Sequence, residues 1–197
     1  MLMKITRWNV DLRTVSSEEL FEWCLREHGV NRMLVAVRLE RGRGRWIPSS
    51  PEASERFERL FSAHIRERFL ASAWPGSYMV RHPGFVYLLE FSREVQSLVL
   101  QVAPNLNKWH IDDGPLPEDV CLFRQGDPHP TFLSVTHDHD AWLLTNKDPT
   151  LHGVSRDRAI DSGTFRQETI AFPGKNFCRP WRGKLQAVDK RLLPKMK

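Results

Sequence analysis

Two short apolar runs constrain the fold of this chain more than any other feature. Residues 33–39 read Met-Leu-Val-Ala-Val-Arg-Leu, and residues 85–91 read Phe-Val-Tyr-Leu-Leu-Glu-Phe. Both runs are rich in β-branched or aromatic residues and are short, which is typical of buried strands. Further strands are predicted over residues 5–12, 120–123, 131–136 and 141–145.

Three segments between these strands carry helical signals. The first helix is predicted to begin after Ser16, which can cap it, and to end at Gly29. The second begins at Ser50 and Pro51, and apolar residues recur along it every three or four positions. This recurrence predicts one long helix that ends before Trp74. Its apolar positions are Phe57, Leu60, Phe61, Ile65 and Phe69. The third helix is predicted from Ser92 to Pro104.

The order of these elements predicts the fold class. Helices alternate with strands early in the chain and short strands follow one another later, which indicates an α+β fold. We expect a mostly antiparallel sheet with about three helices packed on it. Residues 1–145 are predicted to form this single domain. Residues 146–197, where periodicity fades and Pro and Gly are frequent, are predicted to be an irregular extension with a basic tail.

Charge is distributed unevenly along the chain, whose net charge is +5. Residues 175–197 contain eight Lys or Arg and one acid, and a second basic cluster spans Arg38 to Arg45. Residues 111–140 contain seven acids and one base. Like charges collected in loops do not serve the core, so this segregation favours binding to a charged partner. A solvated surface, or a tail that neutralises the acidic segment in the same molecule, explains it equally well.

The leading hypothesis is a non-enzymatic protein that binds another protein through charged loops, as an immunity-type inhibitor or a subunit of a macromolecular complex does. Its predicted contact residues are the acids of the loops and the turn: Asp112, Asp113, Glu118, Asp119, Asp138 and Asp140. Association through such residues is electrostatically steered and weakens as salt rises.

Nucleic-acid binding is the second hypothesis. Arginines beside an aromatic ring suit single-stranded nucleic acid, because Arg contacts phosphates while the ring stacks on a base. The predicted contacts lie in one loop and in the basic tail: Arg41, Arg43, Arg45, Trp46, Lys184, Lys190 and Arg191. The simpler explanation of the same residues is a solvated hairpin or loop with a buried Trp.

A metal-dependent hydrolase is the third hypothesis, centred on His137 and His139. Alternate residues of an extended segment point the same way, so both imidazoles could reach one metal ion. A polar hairpin turn is the simpler explanation of this segment, and no metal or cofactor is expected. Nucleotide-binding glycine motifs, the GxSxG elbow and HExxH are absent from the sequence.

The location of the protein is predicted from its cysteines and its hydropathy. Three Cys at positions 24, 121 and 178 form no CxxC motif, which favours a reducing cytoplasm. Both Cys24 and Cys121 fall in apolar segments and are expected to be buried. No apolar run approaches about 18 residues, so no membrane span is expected.

Overall fold

The computed structural model describes residues 4–42, 45–78, 83–108, 119–127, 129–135, 139–161 and 179–180. These residues form three helices and eleven strands of one sheet. The helices are α1 (Ser17–His28), α2 (Pro51–Phe61) and α3 (Arg93–Val102). The strands are β1 (Lys4–Val10), β2 (Arg32–Gly42), β3 (Arg45–Pro48), β4 (Ile65–Trp74), β5 (Ser77–Tyr78), β6 (Gly84–Glu90), β7 (Val120–Phe123), β8 (Phe132–Val135), β9 (Asp140–Leu144), β10 (Val154–Asp161) and β11 (Arg179–Pro180).

The sheet is antiparallel at every described pairing, with the strand order β10-β1-β9-β8-β7-β2-β6-β4-β11. The two short strands β3 and β5 pair with β2 and β4 respectively. The sequence-based prediction of an α+β fold with about three helices on a mostly antiparallel sheet is confirmed. Strand β2 lies in the interior of the sheet, and both faces are covered along its run Met33–Val37, which explains why this run is continuously apolar.

Both faces of the sheet are buried, and each face has its own apolar cluster. On the first face, β2 contributes Met33, Val35 and Val37, which pack with residues of all three helices such as Phe21 of α1 and Val99 of α3. On the second face, β2 contributes the alternate residues Leu34 and Ala36, and no described helix joins that cluster. The helices therefore cover one face only, as expected for this fold class.

The caps predicted for α1 and α3 are present. Ser16 Oγ accepts a hydrogen bond from the Glu19 N–H at 3.3 Å, and Gly29 ends α1 in the left-handed region at φ 58°. Ser92 Oγ accepts from the Val95 N–H in the same way. Ser50 is the N-cap residue of α2, but its side chain makes no capping hydrogen bond. Cys24 and Cys121 are buried, as predicted.

The long second helix predicted from the sequence is wrong beyond residue 61. Helix α2 ends at Phe61, and the chain then turns into strand β4, which begins at Ile65. A spacing of four residues is compatible with both a helix and a strand, so Phe61, Ile65 and Phe69 suggested one continuous helix. In β4 a bulge after Ile65 shifts the register against β6. Ile65 consequently joins the helix-covered cluster, whereas Phe69 joins the cluster on the second face.

Strand β10 lies within the segment that was predicted to be irregular. Its residues pair with β1 from Val154 to Asp161, so the sheet continues beyond residue 145. Its exposed positions include Arg156, Asp157 and Arg158, and this charged pattern concealed the strand from an argument based on apolar residues.

Candidate functional site

Three charged segments of the sequence connect to strands at the same end of the sheet. We call this end the hairpin end. It is where β2 leaves the sheet toward β3, where β7 begins and where β9 begins. The register places them together, because Val35 of β2 pairs with Val120 of β7 and Val135 of β8 pairs with Asp140 of β9. Three strand spacings separate β2 from β9, or about 14 Å across the sheet. The hairpin end therefore holds the β2–β3 hairpin together with the starts of β7 and β9.

The basic segment forms a hairpin, one of the two forms, hairpin or loop, that the sequence left open. Strands β2 and β3 pair at Arg41 with Trp46 and at Gly42 with Arg45. Because β2 pairs with β6 only as far as Arg38, the two strands of the hairpin extend beyond the main sheet. A two-stranded ribbon needs no apolar side chains to form its ladder, so an Arg- and Gly-rich composition does not distinguish a hairpin from a loop. Arg43 lies outside the described residues.

Among the acids predicted to contact a partner, Asp140 is in the described part of the chain and lies on the surface. It is the first residue of β9, and its side chain is exposed. The residues Asp112, Asp113, Glu118 and Asp138, predicted to bind the same partner, lie outside the described residues. The same holds for Lys184, Lys190 and Arg191 of the basic tail.

Asp119 is a correction to the predicted contact surface, because it is fully buried. Its Oδ2 accepts a hydrogen bond from Trp74 Nε1 at 2.7 Å, and its carbonyl accepts from the Ala36 N–H at 3.0 Å. The indole reaches this position by lying over Gly84, where a β-carbon would be only 2.6 Å from the ring. A buried carboxylate needs such hydrogen bonds, so Asp119 joins β4 to the start of β7 and does not meet a partner. The sequence feature that could have indicated this burial is the position of Asp119 directly before a buried strand.

The two-histidine metal site, which the sequence offered only as a third hypothesis beside a polar turn, lacks the extended backbone that it requires at His139. His139 has φ 59° and lies in the turn before β9, so the chain is not extended at this residue. Side chains two positions apart share a face only in an extended segment. His137 lies outside the described residues. Within the described ranges, no three His, Cys, Asp or Glu residues are grouped as metal ligands would be.

A polar cluster lies beneath the base of the hairpin, where α2 packs on the sheet. Glu58 of α2 accepts hydrogen bonds at its Oε1 from Arg68 Nη1 at 2.6 Å and from the Tyr87 hydroxyl at 2.5 Å. The Arg68 guanidinium also lies 5.0 Å from the centre of the Phe85 ring. Burial is the main effect that raises the pKa of Tyr87 above its usual value, and the hydrogen bond to Glu58 raises this pKa further. These contacts fix α2, and with it the end of β3, to the sheet.

The opposite end of the sheet holds a cleft of about 250 Å³, which the sequence argument did not find. We call it the His28 cleft. It is lined by the end of α1, the β7–β8 connection and the residues that follow β9; its polar residues are His28, Asp127, His129, Thr131, Thr145, Asn146 and Lys147. These residues are far apart in the sequence, which is why no sequence motif indicates the cleft.

His28 is the half-buried titratable group of this cleft. Its Nε2 lies 3.0 Å from Thr145 Oγ1, and its ring packs against Trp23 at 4.8 Å between centroids. Lys147 stands beside it, with Nζ donating to the carbonyl of Glu27. Burial and, to a smaller extent, the charge of Lys147 lower the pKa of His28, although the carboxylates of Glu27 and Asp127 oppose this. The lowered pKa favours the neutral form of the imidazole.

Comparisons of the chain with protein-family models, with curated proteins and with solved structures find no match. None of the helices in the described part of the chain has the length and apolar character needed to cross a membrane.

Proposed function

We propose that this protein is a non-enzymatic binding protein whose contact surface is the hairpin end of the sheet. Its partner is another protein that presents a basic surface to the acidic segments around Asp140. An immunity-type inhibitor, or a subunit that holds a complex together in the cytoplasm, acts in this manner.

The observation that carries the proposal is the position of the charged segments. The acidic segment 111–118 precedes β7, and the acidic turn 137–140 joins β8 to β9, so both connect to the same end of the sheet. Loops on a rigid sheet are a common location for binding residues. The acidic segments at this end attract a partner with a basic surface and raise the rate of association.

Nucleic-acid binding remains a second candidate because residues 41–46 form a hairpin. A two-stranded ribbon that extends from a sheet can enter a groove or lie along a single strand. In the register, Arg41 is opposite Trp46, so the ribbon carries a cation and an aromatic residue at one level. The tail residues Lys184, Lys190 and Arg191 would add phosphate contacts.

Binding of two labelled probes, measured by fluorescence anisotropy, tests both candidates. The first probe is a 15-residue lysine-rich peptide, and the second is a 20-nucleotide single-stranded DNA. We expect the peptide to bind, and to bind at least tenfold more weakly when Asp112, Asp113, Asp138 and Asp140 are all changed to Lys. Asp148→Lys is the control, because Asp148 is exposed and follows β9 at the other end of the sheet.

The remaining outcomes separate the two functions. If the DNA binds with a steep dependence on salt and Arg41→Glu/Arg43→Glu/Arg45→Glu abolishes that binding, the nucleic-acid function replaces the first proposal. If the four acidic reversals leave peptide binding unchanged, the acidic segments are only a solvated surface and the first proposal is wrong.

A further inference from the structure

The His28 cleft lies at the opposite end of the sheet from the hairpin end, so it is separate from the proposed contact surface. Its volume is about 250 Å³, and its walls come from β1, the end of α1, the β7–β8 connection and the residues that follow β9. A water molecule takes up about 30 Å³ of the liquid, so the cleft has room for a small ring with one polar substituent. The chemistry of the walls determines which class of molecule fits.

Part of the cleft wall is apolar. The apolar side chains that line it are those of Ile5, Pro130 and Leu144. Leu144 is only 3% exposed, and Ile5 packs against the same apolar cluster on the second face of the sheet. An apolar wall favours a ligand with an apolar body, because removing both surfaces from water lowers the free energy.

The charged side chains of the cleft already have partners within the protein. Lys147 Nζ donates a hydrogen bond to the Glu27 carbonyl at 2.5 Å and lies 3.3 Å from Glu27 Oε2. Asp127 Oδ1 accepts a hydrogen bond from the His129 N–H at 3.0 Å, and Asp127 Oδ2 lies 3.8 Å from Arg124 Nη2. A charged ligand would lose hydration in the cleft and would find its counter-charge engaged elsewhere, which costs free energy. The cleft therefore favours an uncharged ligand.

Two neutral polar side chains of the wall are also engaged with the protein. Asn146 bonds to the main chain of β1 at both ends of its amide, through Oδ1 at 2.9 Å and through Nδ2 at 2.8 Å. Thr145 Oγ1 accepts a hydrogen bond from the Lys147 N–H at 2.9 Å and lies 3.0 Å from His28 Nε2. These contacts hold the wall in one arrangement.

Thr131 differs from these residues, because its side chain has no such contact. Its N–H donates to the Leu122 carbonyl and its carbonyl accepts from the Leu144 N–H, but its hydroxyl makes no hydrogen bond within the described part of the chain. The residue is only 7% exposed and lines the cleft. A buried hydroxyl without a partner is unfavourable, and a hydroxyl can both donate and accept. Thr131 can therefore pair with an amide, a hydroxyl or a carbonyl group of a ligand.

We propose that the His28 cleft binds a small uncharged molecule with an apolar body and one hydrogen-bonding group. The apolar body contacts Ile5, Pro130 and Leu144, and the polar group bonds to the hydroxyl of Thr131. This goes beyond the proposed function and does not depend on it.

Three probes with the same ring test the proposal: benzamide, which is uncharged, benzoate and benzylammonium. Each is titrated into the ¹⁵N-labelled full-length chain, and the amide signals are followed by NMR. We expect benzamide to shift the amides of Thr131, Thr145 and Lys147 in a saturable manner. Benzoate and benzylammonium should bind there at least about tenfold more weakly, because neither gains a free counter-charge.

The other outcomes of this titration overturn the proposal. If benzamide produces no saturable shift at the cleft, the cleft is filled or closed in solution and is not a ligand site. If either charged probe binds there as tightly as benzamide, the site does not select an uncharged molecule.

Thr131→Val tests the hydrogen bond, because valine keeps the shape of the side chain and removes the hydroxyl. We expect this variant to bind benzamide about fivefold more weakly, as the loss of one hydrogen bond predicts. The matched control is Thr14→Val, an exposed position between β1 and α1 at the other end of the sheet. Equal affinities of Thr131→Val and the wild-type protein contradict the proposal, and if the variant does not fold, the wild-type titration decides.

Discussion

The half-buried imidazole of His28 links the end of α1 to the end of β9 through Thr145. Protonation would place a positive charge beside Lys147 in a partly desolvated site, which is why the pKa of His28 is lowered. Unfolding removes both effects and returns the pKa to about 6.5. The unfolded chain therefore binds a proton at this residue more readily than the native protein does, and stability falls as pH drops through this range.

His28→Gln tests this linkage. The contribution of His28 is fully present above about pH 6.5 and is lost as the pH falls toward the lowered pKa of the folded state. We expect the wild-type protein to lose more free energy of unfolding than His28→Gln between pH 7.5 and 5.5, as measured by urea titration. Glu22, Glu27 and Glu90 also have lowered pKa values, but carboxylates act at lower pH.

His152→Gln is the control for this comparison, because His152 is exposed in the turn before β10. Equal pH dependence in the wild-type protein and in His28→Gln would contradict the assignment.

Two acidic residues show how far the sequence could predict the candidate site. Asp140 follows a polar turn, so a surface position was the correct prediction. Asp119 follows an acidic, Pro-containing loop and was assigned to the same surface, yet it is buried beneath Trp74. Its hydrogen-bond donor is 45 positions away. Local composition carries no information about a partner at that distance.

At the scale of elements, the sequence predicted helix and strand boundaries correctly where a strong local interaction sets them, and it failed where the local signal was weak. The caps at Ser16 and Ser92 predicted where α1 and α3 begin, because a cap is an interaction between neighbouring residues. The boundary between α2 and β4 was missed because apolar residues four positions apart fit both periods. The sequence left a hairpin or a loop open for residues 41–46, because strand pairing, and not composition, decides between them.

Phe61→Ala tests how α2 is held on the sheet. Phe61 is fully buried in the last turn of α2 and stacks on Phe57 at 4.9 Å, and Phe57 contacts Tyr87 of β6 edge-to-face. Removal of this ring leaves a cavity, so we expect a loss of about 3–5 kcal/mol in the free energy of unfolding. Arg59→Ala, at an exposed position of the same helix, should change it by less than about 0.5 kcal/mol. Equal effects of the two changes would show that α2 is not part of the core.

At the scale of the whole molecule, the function depends on which loops share an end of the sheet. The sequence predicted most strands and the α+β class, but it contained no signal for the strand order. That order arises from contacts between residues far apart in the chain, such as the pairing of β1 with β10. Only the assembled sheet brings the Arg41–Trp46 hairpin and the acidic turn before Asp140 to one end.

Mapping the contact surface by NMR tests this central claim most directly. The ¹⁵N-labelled protein is titrated with the lysine-rich peptide, and the shift of each amide signal is followed. The account predicts that the perturbed amides cluster at the hairpin end, at Gly42, Val120, Asp140 and Ala141. Perturbations confined to the His28 cleft, at Asp127 and its neighbours, would contradict it.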